Sequence, residues 1–303
     1  MNISDKPEYD NRKGKRSCHV IFCICTPEEV GRTGTSGKHG KECFPSTIKD
    51  HTRNEIDHHH RECETDTEHA EFANKLTFPF SSHILTPSCY IGEVGEKQIR
   101  YNGYHELAYL HPNWFTPNPA VLTELGLTED IPFCIVRFVS WSASHDVGQC
   151  GIQDKIHLVS SLKKIGRVLI TSEDALPPDL ERYKIQISPE KLHDLLYYAT
   201  IYIGEGATTA SECAVIGTHA LYINTLRLGY TNEEDIKYHL VCNFSRTDEI
   251  KGGVLDKAKE LLNDPELRAK GRLNRLKLLK DKIDVTAFMV RFIENYSESF
   301  LRR

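Results

Sequence analysis

The chain has 303 residues, a net charge of −5 and an isoelectric point near 6.3. This length allows one large or two medium domains with ample core. The acidic balance gives no overall basic field, so a nucleic-acid partner is not expected. No apolar run has membrane-spanning length, and the polar first residues lack the pattern of a secretory signal. Because the ten cysteines include no Cys-x-x-Cys pair, we expect reduced thiols in a cytoplasmic protein.

Residues 1–65 differ in composition from the rest of the chain. Only residues 20–25 form an apolar run, so we expect a poorly ordered or degenerate segment. The glycine-rich residues 31–37 resemble a phosphate loop, but they lack its Gly-Lys-Ser/Thr ending and a following helical pattern. The histidines at 58–60 could join Cys63 and His69 in a zinc site, yet consecutive histidines cannot all converge on one ion. No metal or nucleotide site is therefore predicted here.

Regular patterns begin at residue 66. His83–Pro87 and Gln98–Tyr101 read as strands, and residues 106–110 as a short helix. Three prolines in residues 111–119 predict a stiff linker. We therefore divide the chain into a degenerate segment at 1–65, a remnant of an N-terminal α/β domain at 66–116 and a C-terminal domain at 117–303.

Beyond the linker, strand and helix patterns alternate. Strands are predicted at residues 133–139, 167–171, 183–187, 201–203, 220–223 and 240–244. Helices are predicted at residues 153–165, 189–199, 208–217 and 233–238, and two or three more close the chain. The strands are continuous apolar runs, as in a parallel sheet covered on both faces. The pattern indicates a doubly wound α/β domain.

The most informative stretch is residues 202–217. An apolar strand breaks at Gly204-Glu205-Gly206 and restarts as a helix that Thr208 or Thr209 could cap. Because Gly206 and Ala207 are small, an anion could approach the free backbone N–H groups of the first turn. The alternative is an ordinary tight strand-to-helix turn.

The same helix has two predicted faces. Ala210, Cys213 and Ala214 form the apolar face, whereas Ser211 and Glu212 share the opposite face with Thr208. A carboxylate one turn below a phosphate site is well placed to accept hydrogen bonds from ribose hydroxyls. Glu212 is therefore a candidate ribose ligand.

Polar residues gather where the predicted strands end. In a doubly wound sheet ligands bind beyond the carboxyl ends of the strands. Arg137 and Arg227 could neutralise a diphosphate there, and Ser140, Thr171 and Ser172 could hydrogen-bond it.

Three further features have two interpretations each. His193 lies beside a core stripe, so it is either a structural histidine or a ligand contact. His145-Asp146 is either a loop cap or part of the site. The basic run 268–282 alternates with leucines, which indicates a solvated helix face or, alternatively, docking on an anionic membrane surface.

Several stretches together carry a resemblance to a known family. They are residues 66–70, 76–80, 104–113, 137–141, 193–199 and 202–217. On these residues the chain resembles a prokaryotic family known only as a domain of unknown function (number 354). That family is itself similar to glycosyltransferase-B-fold proteins and to UDP-N-acetylglucosamine 2-epimerases.

The resemblance implies a glycosyltransferase-B-like α/β fold, with two Rossmann-like domains facing a cleft. The nucleotide would lie on the C-terminal domain, with its phosphates at the Gly204 loop and its ribose on Glu212. Epimerase-like relatives usually carry Ser-Gly-Gly in this loop, whereas this chain has Glu-Gly-Ala. A carboxylate at Glu205 would repel a diphosphate by about 1 kcal/mol or more. The N-terminal domain is expected to be truncated or degenerate, because its first strands are not visible before Asp66.

The leading hypothesis is a nucleotide-sugar-binding protein of the glycosyltransferase-B type, acting in surface polysaccharide or cell-envelope sugar metabolism without a metal or cofactor. The expected nucleotide ligands are Arg137, Ser140, Ser172, Gly204, Gly206, Ala207, Thr208, Thr209 and Glu212. The expected catalytic residues are His193 and, as candidate bases across the cleft, Asp66, Glu68 and His69. A UDP-sugar 2-epimerase and a non-catalytic remnant of the fold are the alternatives. The sugar, the acceptor, the nucleotide base and the oligomeric state stay open.

Overall fold

The computed structural model describes residues 19–22, 61–141 and 148–295, the first of these ranges by its backbone alone. The glycine-rich residues 31–37, the histidines at 58–60 and His145-Asp146 lie outside the described residues. Within them, the chain is an α/β protein built on two parallel sheets.

Nine strands form the two sheets of the described chain. The first sheet has the order β1-β2-β3-β4 and the second the order β6-β5-β7-β8-β9, with every neighbouring pair parallel. The strands are β1 His19–Phe22, β2 Arg61–Glu64, β3 His83–Pro87, β4 Gln98–Tyr101, β5 Phe133–Phe138, β6 Arg167–Ser172, β7 Ile201–Gly204, β8 His219–Ile223 and β9 Val241–Phe244.

Helices cover both sheets and close the chain. They are α1 Glu71–Thr77, α2 Leu107–Leu110, α3 Ala120–Glu124, α4 Lys155–Leu162, α5 Pro178–Glu181, α6 Leu192–Tyr198, α7 Ala207–Ile216, α8 Gly229–Ile236, α9 Thr247–Leu262, α10 Leu267–Asp281 and α11 Val285–Glu294. In the part of the chain that the structure describes, no helix combines the length and apolar character needed to cross a bilayer.

The first sheet corrects the expectation that residues 1–65 contribute no strands. Strands β1 and β2 both belong to it, and β2 pairs with β3. The sequence pattern does not indicate strand β2, because its residues, Arg-Glu-Cys-Glu, include acidic side chains where a buried strand usually has apolar ones. Glu64 is nevertheless buried, since it accepts hydrogen bonds from Tyr101 Oη (2.6 Å) and His105 Nδ1 (2.8 Å). Paired in this way, a carboxylate can occupy an interior position. The predicted domain boundaries themselves stay predictions.

The second sheet agrees with the predicted alternation, with one exception. Residues 183–187 were predicted to form a strand but make only an isolated bridge between Ile170 and Lys184. Two backbone hydrogen bonds hold them to the outer edge of β6, Ile170 N–H to Tyr183 O and Ile185 N–H to Ile170 O. The segment then turns into a 3₁₀ helix at Pro189–Lys191, so pairing cannot extend. The prediction of a strand here was wrong.

The strand order reverses at the centre of the second sheet, and we call the space outside the carboxyl ends of β5 and β7 the crevice. From β5 the chain passes to β6 on one side, and β7 then lies on the other side of β5. The loops that follow β5 and β7 therefore leave in opposite directions, which is where α/β sheets bind ligands. In the register, Arg137 is opposite Thr171 of β6 and Gly204 of β7. Residues from three strands thus meet at one point.

The basic run in α10 has two faces rather than one solvated face. Its three arginines turn inward and donate to carbonyl oxygens in the last turns of α6 and α7. Such carbonyls lack partners within their own helix and carry the negative end of its dipole, so guanidinium groups stabilise them. The bonds include Arg268 to Tyr198 O (2.9 Å), Arg272 to Tyr197 O (2.7 Å) and Arg275 to Val215 O (2.8 Å). The prediction of a solvated face holds only for the lysines of this helix.

Candidate functional site

The amino end of α7 lies at the crevice between β5 and β7. The helix begins at Ala207, with Gly206 in the N-cap position and no side-chain cap. The prediction that Thr208 or Thr209 caps the helix was wrong, because the helix starts before either residue. Among the described residues, no acceptor is recorded for the N–H groups of Ala207, Thr208 and Thr209. These donors are therefore available to an anion.

A glycine makes the turn before α7 possible. A Cβ atom at Gly204 would lie 2.2 Å from the Tyr202 hydroxyl, closer than real Cβ atoms come, and 3.1 Å from the Arg137 carbonyl oxygen, a tight contact. Without one, the Tyr202 side chain folds beneath the turn and its hydroxyl donates to Gly206 O at 3.4 Å. Gly204 thus acts through backbone geometry rather than through a side chain.

Glu205, whose charge was expected to repel a diphosphate, is bound by backbone N–H groups of two loops beside the amino end of α7. Its side chain is buried, with Oε1 accepting from Ile152 N–H (2.8 Å) and Oε2 from Val139 N–H (3.1 Å). Burial raises the pKa of Glu205, while these two backbone hydrogen bonds act in the opposite direction. The carboxylate therefore ties together the loops around the crevice. Its charge is partly balanced before any ligand arrives.

Arg137 stands beside the amino end of α7 with a carboxylate partner. Its Nε lies 3.8 Å from the point where a Cβ of Gly206 would be, and its Nη2 donates to Glu173 Oε1 at 2.9 Å. The other oxygen of Glu173 accepts from Ser140 N–H at 3.0 Å. Glu173 was not among the predicted site residues, although it follows directly after Thr171-Ser172 at the strand end. It holds Arg137 and the loop after β5 in place.

The other predicted diphosphate contacts do not all lie beside Arg137. Thr171 Oγ1 is buried and has no hydrogen-bond partner among the described residues. Ser172 pairs with Phe138 at the ends of β6 and β5, so it lies on the same rim. Arg227 is exposed and donates to Ser245 Oγ at 3.0 Å, beyond the end of β9. Arg227 therefore lies near the edge strand β9 and not beside β5 and β7.

Deeper along α7, Glu212 accepts two hydrogen bonds on one oxygen. His193 Nε2 lies 2.8 Å and Tyr109 Oη 3.0 Å from Glu212 Oε1. The His193 and Tyr109 rings pack with centroids 5.5 Å apart, and Phe115 meets His193 edge-on. Burial, then the charges of Glu106 and Glu212, raise the pKa of Tyr109 far above its usual range, so it donates. No hydrogen bond from residues 61–141 or 148–295 reaches Glu212 Oε2.

The polar face predicted for α7 is itself buried. Ser211 has no exposed surface, and its hydroxyl donates to Glu234 Oε1 of α8 at 2.6 Å. The helix packs against neighbours on nearly every side from Thr209 to Ile216. The prediction that Thr208, Ser211 and Glu212 share a face opposite the core was therefore wrong for Ser211, because α8 covers that face. The predicted apolar face, with Ala210 and Cys213, is confirmed.

Three carboxyl side chains, Asp66, Glu106 and Glu234, form a group near Ser211. Glu106 and Glu234 are fully buried, and both oxygens of Glu106 have no hydrogen-bond partner among the described residues. Burial and the charge of Asp66 raise the pKa of Glu106 to about 8, and burial raises that of Glu234 well above its usual value. Burial and the neighbouring Glu64 also raise the pKa of Asp66. With a pKa of about 8, Glu106 holds a proton at neutral pH that an exposed carboxyl would have lost.

A histidine beside these acids carries the opposite charge. Burial alone would lower the pKa of His105, but the hydrogen bond and charge of Glu64 outweigh it and raise that pKa to about 10. His105 and Glu64 thus form a charged pair with 2.8 Å between Nδ1 and Oε2. Neither residue was predicted as part of the site. The acidic strand β2 gave no recognisable signal for them.

The remaining candidate bases hold the two sheets together. Glu68 Oε1 accepts from Gly229 N–H, at the start of α8, and from Ile91 N–H, both at 3.0 Å. His69 Nε2 lies 3.0 Å from Arg227 O. Of the three predicted bases, only Asp66 lies with the buried acid group, and the catalytic role of all three stays a prediction. The described residues contain no cluster of three or more side chains arranged to hold a metal ion.

Comparison with known proteins agrees with the resemblance in the sequence. The model of the family described as Protein of unknown function (DUF354) matches residues 63–291. An uncharacterised protein of Methanocaldococcus jannaschii is 28% identical over 164 residues, which are 50% of this chain and 48% of that protein. The match thus spans about half the length of that relative.

Solved structures show a similar fold at low sequence identity. A protein of Listeria monocytogenes assigned as a UDP-N-acetylglucosamine 2-epimerase has a TM-score of 0.54 and 11% identity, covering 81% of this chain and 70% of its own. The wall teichoic acid polymerase TagF has a TM-score of 0.47 and 12% identity, covering 82% of this chain and 71% of its own.

The first likeness shows a glycosyltransferase-B-like α/β fold, in agreement with the parallel sheets. The family model covers most of the chain, including β3 to β9 and every residue around Glu212 and Arg137. The chain therefore belongs to the family of proteins of unknown function DUF354.

Proposed function

We propose that the protein binds a nucleoside-diphosphate sugar in the crevice outside β5 and β7 and cleaves the bond between sugar and diphosphate, passing the sugar to an acceptor. The observation that carries this proposal is the amino end of α7, which has no side-chain cap and lies at the switch point of the sheet beside Arg137. Such a helix end attracts phosphate through its N–H groups and its dipole.

The diphosphate would be held by backbone donors and one guanidinium. The N–H groups of Ala207, Thr208 and Thr209 face it from the helix, and Arg137 approaches from β5. Glu173 already binds Arg137, so a diphosphate would share or displace that carboxylate. Fixed donors of this kind stabilise the charge that develops on the leaving diphosphate without having to reorganise.

The ribose would bind to Glu212. Its Oε1 is fixed by His193 and Tyr109, so the carboxylate is oriented before the nucleotide arrives. Its Oε2 is then the acceptor for the ribose hydroxyls, in a charge-assisted hydrogen bond. His193 lies between this carboxylate and Phe115, which supports a role at the sugar edge or as a base.

The reacting sugar would lie between α7 and the first sheet. Asp66, His105 and Glu106 approach from that side, and His193 approaches from α6. Within this proposal the reaction serves surface polysaccharide or cell-envelope sugar metabolism in the cytoplasm, and no metal or cofactor takes part.

A second candidate function is epimerisation of a UDP-sugar by elimination and readdition of the nucleotide. Asp66 and Glu106 favour it, because removing and returning a proton at carbon needs acid–base groups, and burial raises the pKa of both carboxyls, that of Glu106 to about 8. The likeness to the Listeria protein supports the same alternative at the level of the fold.

The first prediction concerns the ribose contact. We expect the substitution Glu212→Ala to weaken UDP binding about 10- to 100-fold, since a hydrogen bond to a charged group contributes about 1.5–3 kcal/mol. Isothermal titration calorimetry with UDP measures the change. The exposed Glu96→Ala is the matched control and should bind as the wild type does, and Glu212→Gln tests charge without removing the side chain. Equally weak binding by the wild type and Glu212→Ala would contradict the proposal.

The second prediction separates transfer from epimerisation. We expect incubation with UDP-N-acetylglucosamine in deuterated water to leave the sugar unlabelled, because transfer breaks no carbon–hydrogen bond. Mass spectrometry of the recovered nucleotide sugar measures the label. Deuterium in the sugar ring, lost again in the Asp66→Asn variant, would establish the epimerase and overturn transfer.

The third prediction concerns the protonated state of Glu106. Its pKa of about 8 in the folded protein lies above the ordinary value of 4.5 for a glutamate, so the folded protein holds an extra proton between these pH values. That contribution to stability is fully present below about pH 4.5 and is lost as the pH rises to 8. Compared with Glu106→Gln, the wild type should therefore lose up to about 1.4 kcal/mol of unfolding free energy per pH unit in this window. Urea unfolding at several pH values across this window measures the difference in unfolding free energy between the wild type and the variant. Glu96→Gln is the control, and its unfolding free energy should change with pH as that of the wild type does. A difference that does not change with pH would show that Glu106 is not protonated as described.

A further inference from the structure

We propose that the outer stripe of α10 docks the protein on an anionic lipid bilayer. The α10 stripe consists of Lys270, Leu273, Leu276, Lys277 and Lys280. These positions are spaced by three or four residues, or are adjacent, so they share one face of the helix. Leu273 and Leu276 are 60% and 61% exposed, and the three lysines are exposed as well.

The structure separates the two kinds of cation in α10. Its arginines turn inward and bind the carbonyl ends of α6 and α7, so they are not available to a partner. The outward cations are all lysines. Lys270 binds Asp264 and Lys277 binds Asn274, whereas Lys280 has no recorded partner in the described chain. An exposed helix face of leucine and lysine is the composition that lies in a membrane interface.

A groove beside the stripe extends its apolar surface. It has a volume of about 910 Å³ and runs between α9, α10 and the edge strand β9, with Val241, Leu261 and Leu267 among its lining residues. Four lysines line it against two aspartates. His219 also lines the groove, but burial lowers its pKa to about 4, so it adds no charge at neutral pH. The face as a whole is apolar with a positive rim.

Charge complementarity selects the lipid surface among possible occupants. The chain carries a net charge of −5, so this local positive face orients the molecule toward an anionic surface. A second copy of the chain in a two-fold dimer would place lysines opposite lysines, which is repulsive. A nucleic acid would give the two exposed leucines no apolar environment, whereas the acyl boundary of a bilayer does.

Docking in this orientation leaves the crevice accessible. Helix α10 packs on the carboxyl end of α7, with Arg275 on Val215 O, while the crevice lies at the amino end of α7. A ten-residue helix is about 15 Å long, so the two sites are separated by that length. The inference therefore stands independently of the proposed function.

Vesicle co-sedimentation tests this inference. The full chain is mixed with vesicles of phosphatidylcholine containing about one third phosphatidylglycerol, and with phosphatidylcholine vesicles alone. We expect binding only to the anionic vesicles, weakened by salt. The double substitution Lys277→Glu/Lys280→Glu should reduce binding at least about tenfold, and Leu273→Ala/Leu276→Ala should also reduce it. All four positions are exposed, so thermal unfolding and UDP titration should match the wild type.

A matched control and a second measurement distinguish the other outcomes. The control Lys164→Glu/Lys184→Glu reverses the charge at two exposed lysine positions on another face, and it should leave vesicle binding unchanged. An equal loss in this control would show non-specific attraction and overturn the inference, as would no binding by the wild type. A dimer in light scattering that Leu273→Ala/Leu276→Ala converts to a monomer would assign the stripe to a protein interface instead.

Discussion

Helix α7 is buried from Thr209 to Ile216, so the backbone N–H groups at one end and the C=O groups at the other need hydrogen-bond partners. Its carbonyl end is satisfied by protein, because Arg272 and Arg275 of α10 donate to Ile216 O and Val215 O. Its amide end has no side-chain cap. A buried helix that is closed at one end and uncapped at the other concentrates its unsatisfied donors at a single point. That point coincides with the switch in strand order.

The polar side chains in the buried part of α7 are also hydrogen-bonded to other parts of the chain. Ser211 and Glu212 are buried with hydrogen-bond partners on neighbouring elements: Glu234 of α8 for Ser211, and both His193 and Tyr109 for Glu212. Tyr109 comes from the segment before the linker, so Glu212 connects the two halves of the chain. Buried hydrogen-bonded networks of this kind fix orientation more than they add stability. Here the orientation serves one carboxylate oxygen that no described residue uses.

The sequence predicted the second sheet well because its strands are continuous apolar runs and its helices begin and end near glycine, proline or polar residues. It also predicted the strand-turn-helix at Gly204, since that turn stands out by residue type and spacing, whereas the ligand roles of this turn and of Glu212 stay predictions. It failed for strand β2, where Glu64 is buried through Tyr101 and His105, which are far apart in sequence. It failed for Ser211 and for the arginines of α10 for the same reason. The side chains look solvated by type, and only the fold shows the carbonyl or carboxylate that receives them.

The measurement that tests the central claim most directly is a titration of the isotope-labelled protein with UDP, followed through backbone amide NMR shifts. If the uncapped end of α7 holds the diphosphate, the N–H signals of Ala207, Thr208 and Thr209 should move most and saturate together. The N–H of Ala287 is the internal control, because Asp284 already caps it at the start of α11. Shifts at residues 207–209 no larger than that of Ala287 would contradict the account.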